Sequence, residues 1–264
     1  MIDQVSRLIR EVAEEAILPR FRRLAKADVR SKSPGEEVTA ADEEAEELLS
    51  RRLPDLLPGS RAVGEEAVAR QPGLLDDLGQ GTAWLIDPVD GTSNFIAGST
   101  CFSVMVALLR DGEVVASWLL SPARGTLHVA ERGSGATVDG VRVRTAAAPD
   151  WSDLRGSVLT RFLPHDIATR ITRRAASCRA VLPGLRCAGE EYPAIAAGRQ
   201  NFAVFWRALP WDHAPGVLFL EEAGGRATRF DGAPYLPAEQ GHGILAAQTP
   251  ELWAELRGRL LDPE

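Results

Sequence analysis

The sequence predicts a mixed α/β fold with two sheets. Apolar residues recur at helical spacing over residues 2–17, next to the N-terminus. Two apolar runs, 102–109 and 113–120, are joined by Arg110-Asp111-Gly112 and have the pattern of a β-hairpin. From about residue 150, short apolar strands alternate with helical patterns. The 264 residues are enough to bury a sizeable core.

The first fifty residues are predicted to contain two helices. Pro19 ends or kinks the first helix, because proline lacks an amide proton and clashes with the preceding turn. A turn is expected at Lys32-Ser33-Pro34-Gly35. The second helix is expected from Thr39 to Leu49, with Thr39 as its N-cap and Asp42 in or near its first turn.

The later elements are predicted from apolar runs and turn residues. In an N-terminal lobe, about 1–145, strands are expected at 60–66, at 84–86, in the hairpin, and on both sides of Gly133-Ser134-Gly135, with a loop at 69–81. In a C-terminal lobe, about 146–264, strands are expected at 158–160, 202–206 and 244–246, and helices at 165–178, 189–198, 212–222 and from 250. Because no linker separates the lobes, residues 1–264 are predicted to form a single domain.

The composition argues against several classes of function. The net charge of −7 disfavours nucleic acids and membrane surfaces as partners, because both attract positive charge. No run approaches the ~20 apolar residues that are needed to span a bilayer. The three cysteines have no CxxC spacing, which disfavours a disulfide framework or a zinc cluster and fits a reducing compartment. We therefore expect a cytoplasmic protein.

The most informative segment is the twelve-residue string from Trp84 to Phe95. Asp87 and Asp90 stand three residues apart at the exit of the predicted buried strand. Two negative charges are unfavourable there unless a cation lies between them. The carboxylates and the carbonyl of Val89 are oxygen ligands, which a hard ion such as Mg²⁺ prefers.

The residues that follow are suited to binding an anion. Gly91 and Thr92 offer backbone N–H groups with little steric cover, and a helix that begins near Ser93 would add its dipole. Carboxylates beside a phosphate cradle fit metal-assisted phosphoryl transfer. The simpler alternative is that Asp87, Asp90 and Gly91 only form a turn, since Asp-Gly turns are common.

The string resembles the W-x-x-D-P-x-D-G-T-x-N-F signature of the inositol monophosphatase family. Residues 211–216 and 222–225 resemble that family's W-D-x-A-x-G…E-A-G-G signature, and Val38–Asp42 and Gly64–Glu66 occur in the expected order. The resemblance covers nearly the whole chain. It implies a phosphomonoesterase that uses Mg²⁺, acts on a small phosphorylated metabolite and is inhibited by Li⁺. It also implies a layered αβαβα sandwich with two mixed sheets, commonly found as a homodimer.

The resemblance further implies roles for individual residues. Glu65, Asp87 and the Val89 carbonyl would bind the first Mg²⁺ ion, and Asp87, Asp90 and Asp212 would bind a second, with a third, weaker ion near Glu65. Thr92 and Asp42 would orient and deprotonate the attacking water, and Glu65 would also act in catalysis. The implied substrate contacts are Asp90, Gly91, Thr92, Ser93, Ala188 and Asp212.

The leaving group is less well defined by the sequence. Family members that act on inositol phosphates usually carry an acidic residue seven positions before the aspartate of the second signature, and here this residue is Phe205. We expect an inositol or sugar phosphate as substrate. Histidinol phosphate, fructose 1,6-bisphosphate and a nucleotide 3′,5′-bisphosphate are alternatives. A regulatory or binding protein that retains the fold is an alternative of another class, supported by the arginine-rich stretch 170–179.

Overall fold

The structure is a computed structural model that describes residues 1–33 and 36–262. Pro34 and Gly35, which belong to the predicted turn, lie outside the described residues. The described chain forms five layers in the order helices, sheet, helices, sheet, helices. The predicted αβαβα sandwich with two mixed sheets is confirmed.

The elements have the following bounds. The helices are α1 (Ile2–Val12), α2 (Ala40–Leu56), α3 (Glu65–Arg70), α4 (Thr92–Ile96), α5 (His165–Ala175), α6 (Ala188–Ala196), α7 (Pro210–Glu222) and α8 (Pro250–Leu256). The first strands are β1 (Val29–Ser33), β2 (Glu36–Thr39), β3 (Arg61–Gly64), β4 (Thr82–Asp90), β5 (Ser103–Arg110), β6 (Glu113–Ser121) and β7 (Thr126–Glu131). The remaining strands are β8 (Gly135–Val138), β9 (Val141–Val143), β10 (Arg155–Val158), β11 (Ala180–Leu182), β12 (Phe202–Arg207), β13 (Arg226–Arg229) and β14 (His242–Ala247).

The larger sheet has the strand order β3-β4-β5-β6-β7-β8-β9. Its β3–β4 pair is parallel, and the later pairs are antiparallel, because short connections join the strands from β5 onward. Both faces are covered. Trp84 and Ile86 of β4 pack against α1 and α2, while Leu85 faces the middle helices. This explains why β4 reads as a continuous apolar run.

The smaller sheet has the order β11-β10-β12-β14-β13, with parallel pairing around β10 and antiparallel pairing around β14. Helices α5 and α8 cover its outer face. Helices α6 and α7 fill the space between the sheets, and nearly every residue of α7 is buried. None of the helices in the described ranges is long and apolar enough to cross a membrane.

Several element predictions need correction. Glu65 and Glu66 do not end a strand: they begin α3, and the predicted loop at 69–81 contains the end of this helix and a 3-10 turn at Pro72–Leu75. Helix α2 continues past Leu49 to Leu56, since apolar packing against β4 outweighs the proline at position 54. The hairpin β1–β2 and the edge strands β9, β11 and β13 were not predicted, because most of them are short and polar. The lobe boundary near 145 stays a prediction.

The close packing of α7 on α6 gives a prediction about stability. A Cβ atom on Gly216 would lie 2.0 Å from the ring of Tyr192, which is fully buried. Gly216→Ala is therefore expected to lower the free energy of unfolding by about 1–3 kcal/mol, despite the better helix propensity of alanine.

Urea denaturation measures this change, with Gly258→Ala as the control. A Cβ atom on Gly258 would meet only the Asp262 carboxylate, at 3.9 Å, so this variant should be stabilised by up to ~1 kcal/mol. Equal stability of the two variants would contradict the packing described.

Candidate active site

The exit of β4 positions the first group of candidate residues. Asp87 pairs with Met105 and Asp90 with Ser103, so β4 has one more residue than its partner over this interval. Such a bulge redirects side chains and breaks the pairing locally. The Asp87 carboxylate accepts a hydrogen bond from the Val89 N–H at 3.1 Å, and the Val89 carbonyl accepts one from the Thr92 hydroxyl at 3.1 Å.

Glu65 reaches the same place from the first residue of α3. Its neighbour Glu66 is almost fully buried, whereas the Glu65 side chain is partly exposed. Lys32 of β1 forms ion pairs with both, at 2.9 Å to the Glu65 carboxylate. Burial opposes the charge on Lys32, but the two carboxylates outweigh it and raise its pKa above the ordinary value.

Asp212 completes a cluster of three carboxylates. It lies in the first turn of α7 and is brought to β4 by the burial of that helix between the sheets. One ligand atom each from Glu65, Asp87 and Asp212 lie within 4.8 Å of one another. Carboxylate oxygens this close could bind a hard cation between them. Asp90 is outside this group of three, although it lines the same cavity.

Gly91, Thr92 and Ser93 form a turn into α4 beside the carboxylates. Gly91 has φ +87°, a left-handed conformation that favours glycine. A Cβ atom there would lie 3.1 Å from the Cys101 carbonyl and 3.2 Å from the Cys187 Cβ. The N–H of Gly189, at the start of α6, donates to the Asp90 carboxylate at 2.6 Å.

Thr92 is within hydrogen-bond distance of a carboxylate that is buried behind it and does not line the cavity. Its hydroxyl lies 3.2 Å from Oδ1 of Asp42. The other oxygen of Asp42 accepts hydrogen bonds from the N–H and the hydroxyl of Thr39, the N-cap of α2. This capping box leaves one oxygen of Asp42 directed at Thr92.

Burial and mutual repulsion act on these carboxylates together. Burial, followed by the charges of Glu65 and Asp90, raises the pKa of Asp87 well above its usual range. The pKa of Asp212 is raised by burial and the charges of Glu65 and Asp90 in the same way. Burial raises the pKa values of Asp90 and Asp42 to about 7, although their hydrogen bonds act in the opposite direction.

The arrangement fits a divalent cation. Asp87, Asp90 and Asp212 have no lysine or arginine within ion-pair distance among residues 1–33 and 36–262. Their donors are all oxygen atoms, which suits Mg²⁺ better than a soft metal. A bound cation would relieve the repulsion that raises their pKa values.

Nearly all predicted site residues line one cavity of about 350 Å³. These residues are Glu65, Asp87, Val89, Asp90, Gly91, Thr92, Ser93, Ala188 and Asp212. Asp42 does not line it and is buried behind Thr92. A second cavity of about 780 Å³, around Arg124 and Arg199, contains none of them. The structure thus brings the candidate residues together, while their individual roles stay predictions.

Other residues at the site were not found from the sequence. Lys32 was assigned only to a turn, and Gly189 and Glu46 only to helices. Glu46 accepts hydrogen bonds from the Glu66 and Ala67 N–H groups, and Lys32 donates to Glu65. Their partners are between 20 and 99 positions away, so no local pattern marks them. Gly64, which precedes Glu65, is a weak sequence signal for the close approach of Glu46, because a Cβ atom on Gly64 would collide with the Glu46 side chain.

His213 follows Asp212, but both of its ring nitrogens are hydrogen-bonded to neighbouring groups. Its Nε2 lies 2.9 Å from the Arg207 carbonyl, which fixes the proton on that nitrogen, and its Nδ1 lies 2.8 Å from the Tyr192 hydroxyl. Burial lowers the pKa of His213 to about 3. The ring is therefore neutral and has no nitrogen left for a metal or a proton transfer.

Comparison with known proteins agrees with this geometry. The model of the inositol monophosphatase family matches residues 1–261. The chain belongs to the inositol monophosphatase family. It is accordingly a phosphatase of the phosphoric monoester hydrolase class.

Two similar curated proteins differ in their described roles. A fructose-1,6-bisphosphatase/inositol-1-monophosphatase of Thermotoga maritima is 32% identical over 196 residues, which cover 74% of this chain and 72% of that protein. The Nus factor SuhB of Pseudomonas aeruginosa is 32% identical over 249 residues, which cover 90% of this chain and 88% of that protein. Among solved structures, an IMPase of Thermotoga maritima superposes with a TM-score of 0.81 at 26% identity, over 98% of this chain and 97% of the other.

The raised pKa of Asp90 predicts how stability depends on pH in the absence of metal. Between its ordinary value, 3.8, and about 7, the folded state binds more protons at Asp90 than the unfolded state. The contribution of Asp90 to the free energy of unfolding therefore falls as the pH rises through this window. Asp90→Asn removes this effect, so its stability relative to the wild type should be greater at pH 8 than at pH 4.5.

Urea denaturation in EDTA at both pH values measures the difference. Asp76→Asn removes an exposed carboxylate outside the cavity and should change the free energy of unfolding by less than ~0.5 kcal/mol. The same relative stability of Asp90→Asn at both pH values would refute the raised pKa.

Proposed function

We propose that this protein is a Mg²⁺-dependent phosphomonoesterase that hydrolyses a small phosphorylated metabolite, an inositol or sugar phosphate, by attack of water on phosphorus. The observation that supports it most is the close approach of Glu65, Asp87 and Asp212 in a cavity that also contains the turn at Gly91. Phosphate esters resist hydrolysis strongly, so charge neutralisation and in-line positioning must lower the barrier.

The carboxylates and the Val89 carbonyl are the proposed ligands. Glu65, Asp87 and Val89 would bind the first ion, and Asp87, Asp90 and Asp212 a second, with room near Glu65 for a third. Such ions lower the pKa of a bound water and neutralise charge on the phosphate and the leaving oxygen. Lys32 already provides a positive charge next to Glu65.

The protein's own residues orient the nucleophile and the phosphate. The Thr92 hydroxyl can accept a hydrogen bond from the attacking water while it donates its single proton to Asp42, at 3.2 Å, instead of to the Val89 carbonyl, at 3.1 Å. A pKa of about 7 suits Asp42 as the final proton acceptor near neutral pH. Gly91, Thr92, Ser93 and Ala188 would contact the phosphate. Because both nitrogens of His213 are engaged, protonation of the leaving group falls to water.

Phosphate release from inositol 1-phosphate, with Mg²⁺ or with EDTA, tests this function. We expect release only with Mg²⁺, and a loss in kcat on the order of 100-fold or more for Asp90→Asn. Thr92→Val should lower kcat more than it changes KM, because its hydroxyl acts on the nucleophile. Asp76→Asn should retain wild-type activity, since this carboxylate is exposed and outside the cavity. Full activity of Asp90→Asn would contradict the mechanism.

A regulatory role is a second candidate, favoured by the similarity to the Nus factor SuhB of Pseudomonas aeruginosa. In that case the fold would serve to bind a partner. Absence of phosphate release from every monoester tested, by a folded protein that binds a partner in a stoichiometric complex, would favour this candidate. A homodimer and inhibition by Li⁺ stay predictions from the resemblance, and a cytoplasmic location stays a prediction from the composition.

A further inference from the structure

The cavity extends beyond the carboxylates to a wall that would face the leaving alcohol. This wall, called here the outer wall, consists of residues 159–162, Pro183, Arg186 and residues 205–207. It combines aromatic rings with arginine side chains. Its chemistry therefore decides which alcohols the cavity accepts.

Phe205 gives the outer wall no group that could accept a hydrogen bond from a sugar hydroxyl. Its ring stacks on Tyr192 at 5.3 Å and meets the edge of His213 at 4.8 Å, so that only 4% of the residue is exposed. A neutral polyol gains little specificity from such a surface, because its hydroxyls need polar partners once they leave water.

Arg207 contributes little unpaired charge to the outer wall. Its guanidinium forms an ion pair with Glu36 of β2 and lies 4.4 Å from the centre of the Phe162 ring. Arg186 differs in this respect. No carboxylate within residues 1–33 and 36–262 lies at ion-pair distance from it, and its side chain is exposed at the cavity.

The backbone holds Arg186 in an uncommon conformation. Its φ is +57°, in the left-handed region that residues other than glycine rarely adopt. The preceding residue, Leu185, fixes this loop from both sides: its N–H donates to Glu191, and its carbonyl accepts from the Asn94 side chain at 2.9 Å. Backbone conformations of this kind persist where the surrounding structure enforces them, and they are concentrated at ligand sites.

The loop that contains Arg186 also packs directly against the turn at Gly91, Thr92 and Ser93, which would contact the phosphate. A Cβ atom on Gly91 would lie 3.4 Å from the Arg186 carbonyl and 3.2 Å from the Cys187 Cβ. Glu191 itself is fully buried, and it also accepts hydrogen bonds from Ser157 and Gln200. This network therefore holds the backbone of Arg186 in place, and the exposed Arg186 side chain lines the cavity.

Charge balance indicates what this arginine is suited to bind. The proposed ions would be shared between the carboxylates of Glu65, Asp87, Asp90 and Asp212 and the reacting phosphate. A second anionic group on the leaving alcohol would need a positive charge of its own, and the exposed side chain of Arg186 offers one at the cavity. An arginine fork can meet the oxygens of a phosphate or carboxylate with two parallel hydrogen bonds.

We propose that Arg186 is a specificity-determining residue that binds a second anionic group, carried by the leaving alcohol. Phosphate monoesters whose alcohol bears a further phosphate or a carboxylate are then hydrolysed more efficiently than neutral polyol phosphates, which remain weaker substrates. This inference rests on the proposed phosphatase function.

Matched pairs of substrates test the inference. Fructose 1,6-bisphosphate is compared with fructose 1-phosphate, and 3-phosphoglycerate with glycerol 3-phosphate, as substrates of the wild type, Arg186→Gln and Arg186→Lys. Arg51→Gln, which removes an exposed arginine on α2, is the control for net charge. Wild-type kcat/KM should be higher for the bisphosphate or for the carboxylate-bearing member of at least one pair.

Arg186→Gln is expected to lower kcat/KM for that member by roughly 10- to 100-fold more than for its partner. Arg186→Lys should restore part of the difference, and Arg51→Gln should leave both values unchanged. An equal loss on both members would mean that Arg186 contacts the reacting phosphate instead, and this would overturn the proposal. A wild type with no preference within either pair would also overturn it.

Binding measurements separate this inference from the proposed function. Calorimetric titration with fructose 1,6-bisphosphate in Mg²⁺ should show weaker binding to Arg186→Gln than to Arg51→Gln even if no compound is hydrolysed. That result would support the anion site at Arg186 even though the proposed phosphatase function had failed. Equal binding by the two variants would overturn the inference, whatever the hydrolysis assay shows.

Discussion

Asp87 is buried, and the half-buried Asp90 and Asp212 line the same cavity, without a cationic side chain that pairs with any of the three in the described parts of the chain. Burial, together with repulsion from acidic neighbours, raises their pKa values, and this opposes the folded state whenever they are ionised. The fold must therefore supply enough apolar burial to hold them in place. This arrangement of carboxylates can only bind a ligand that carries positive charge.

The layered architecture provides this support. The site lies where the end of β4 meets the starts of α3, α4, α6 and α7, so several helix N-termini point toward one cavity. Helix starts leave backbone N–H groups without intrahelical partners, and these favour anions. Gly189 illustrates the effect, since its N–H binds the Asp90 carboxylate directly. The same arrangement that stabilises the carboxylates can accept a phosphate.

The middle layer also determines which parts of the site can move independently. Helix α7 is packed against α6 through Gly216 and Tyr192, and α6 begins beside Asp90. Asp212 and the loop that carries Arg186 are thus attached to one rigid unit between the two sheets. A substitution in this layer would displace a proposed metal ligand and a proposed specificity residue together.

The sequence alone could predict the parts of this site that are local. The Asp87–Thr92 string contains its turn, its carboxylates and its helix start within a few residues, and the hairpin of β5 and β6 is equally local. Glu65 and Asp212 needed the family resemblance, because only tertiary packing brings them to β4. The ion pairs of Lys32, the polar hairpin β1–β2 and the burial of Phe205 were not predicted, since each depends on neighbours that are distant in sequence.

Burial and hydrogen bonding show that these aspartates do more than form a turn. An aspartate that only forms a turn is usually hydrated, whereas Asp87 is 2% exposed and Asp90 accepts a hydrogen bond from another helix. A turn would also give no reason for Asp212 to approach Asp87 from the opposite side of the cavity. Cation binding explains both observations.

The most direct test of the account is a crystal structure of the protein soaked in Mn²⁺, with anomalous diffraction used to locate the ion. We predict an anomalous peak between Glu65, Asp87 and Asp212, within ordinary coordination distance of all three, and its loss in Asp87→Asn. A peak elsewhere in the molecule, or none at this cluster in well-ordered crystals, would contradict the central role given to the buried carboxylates.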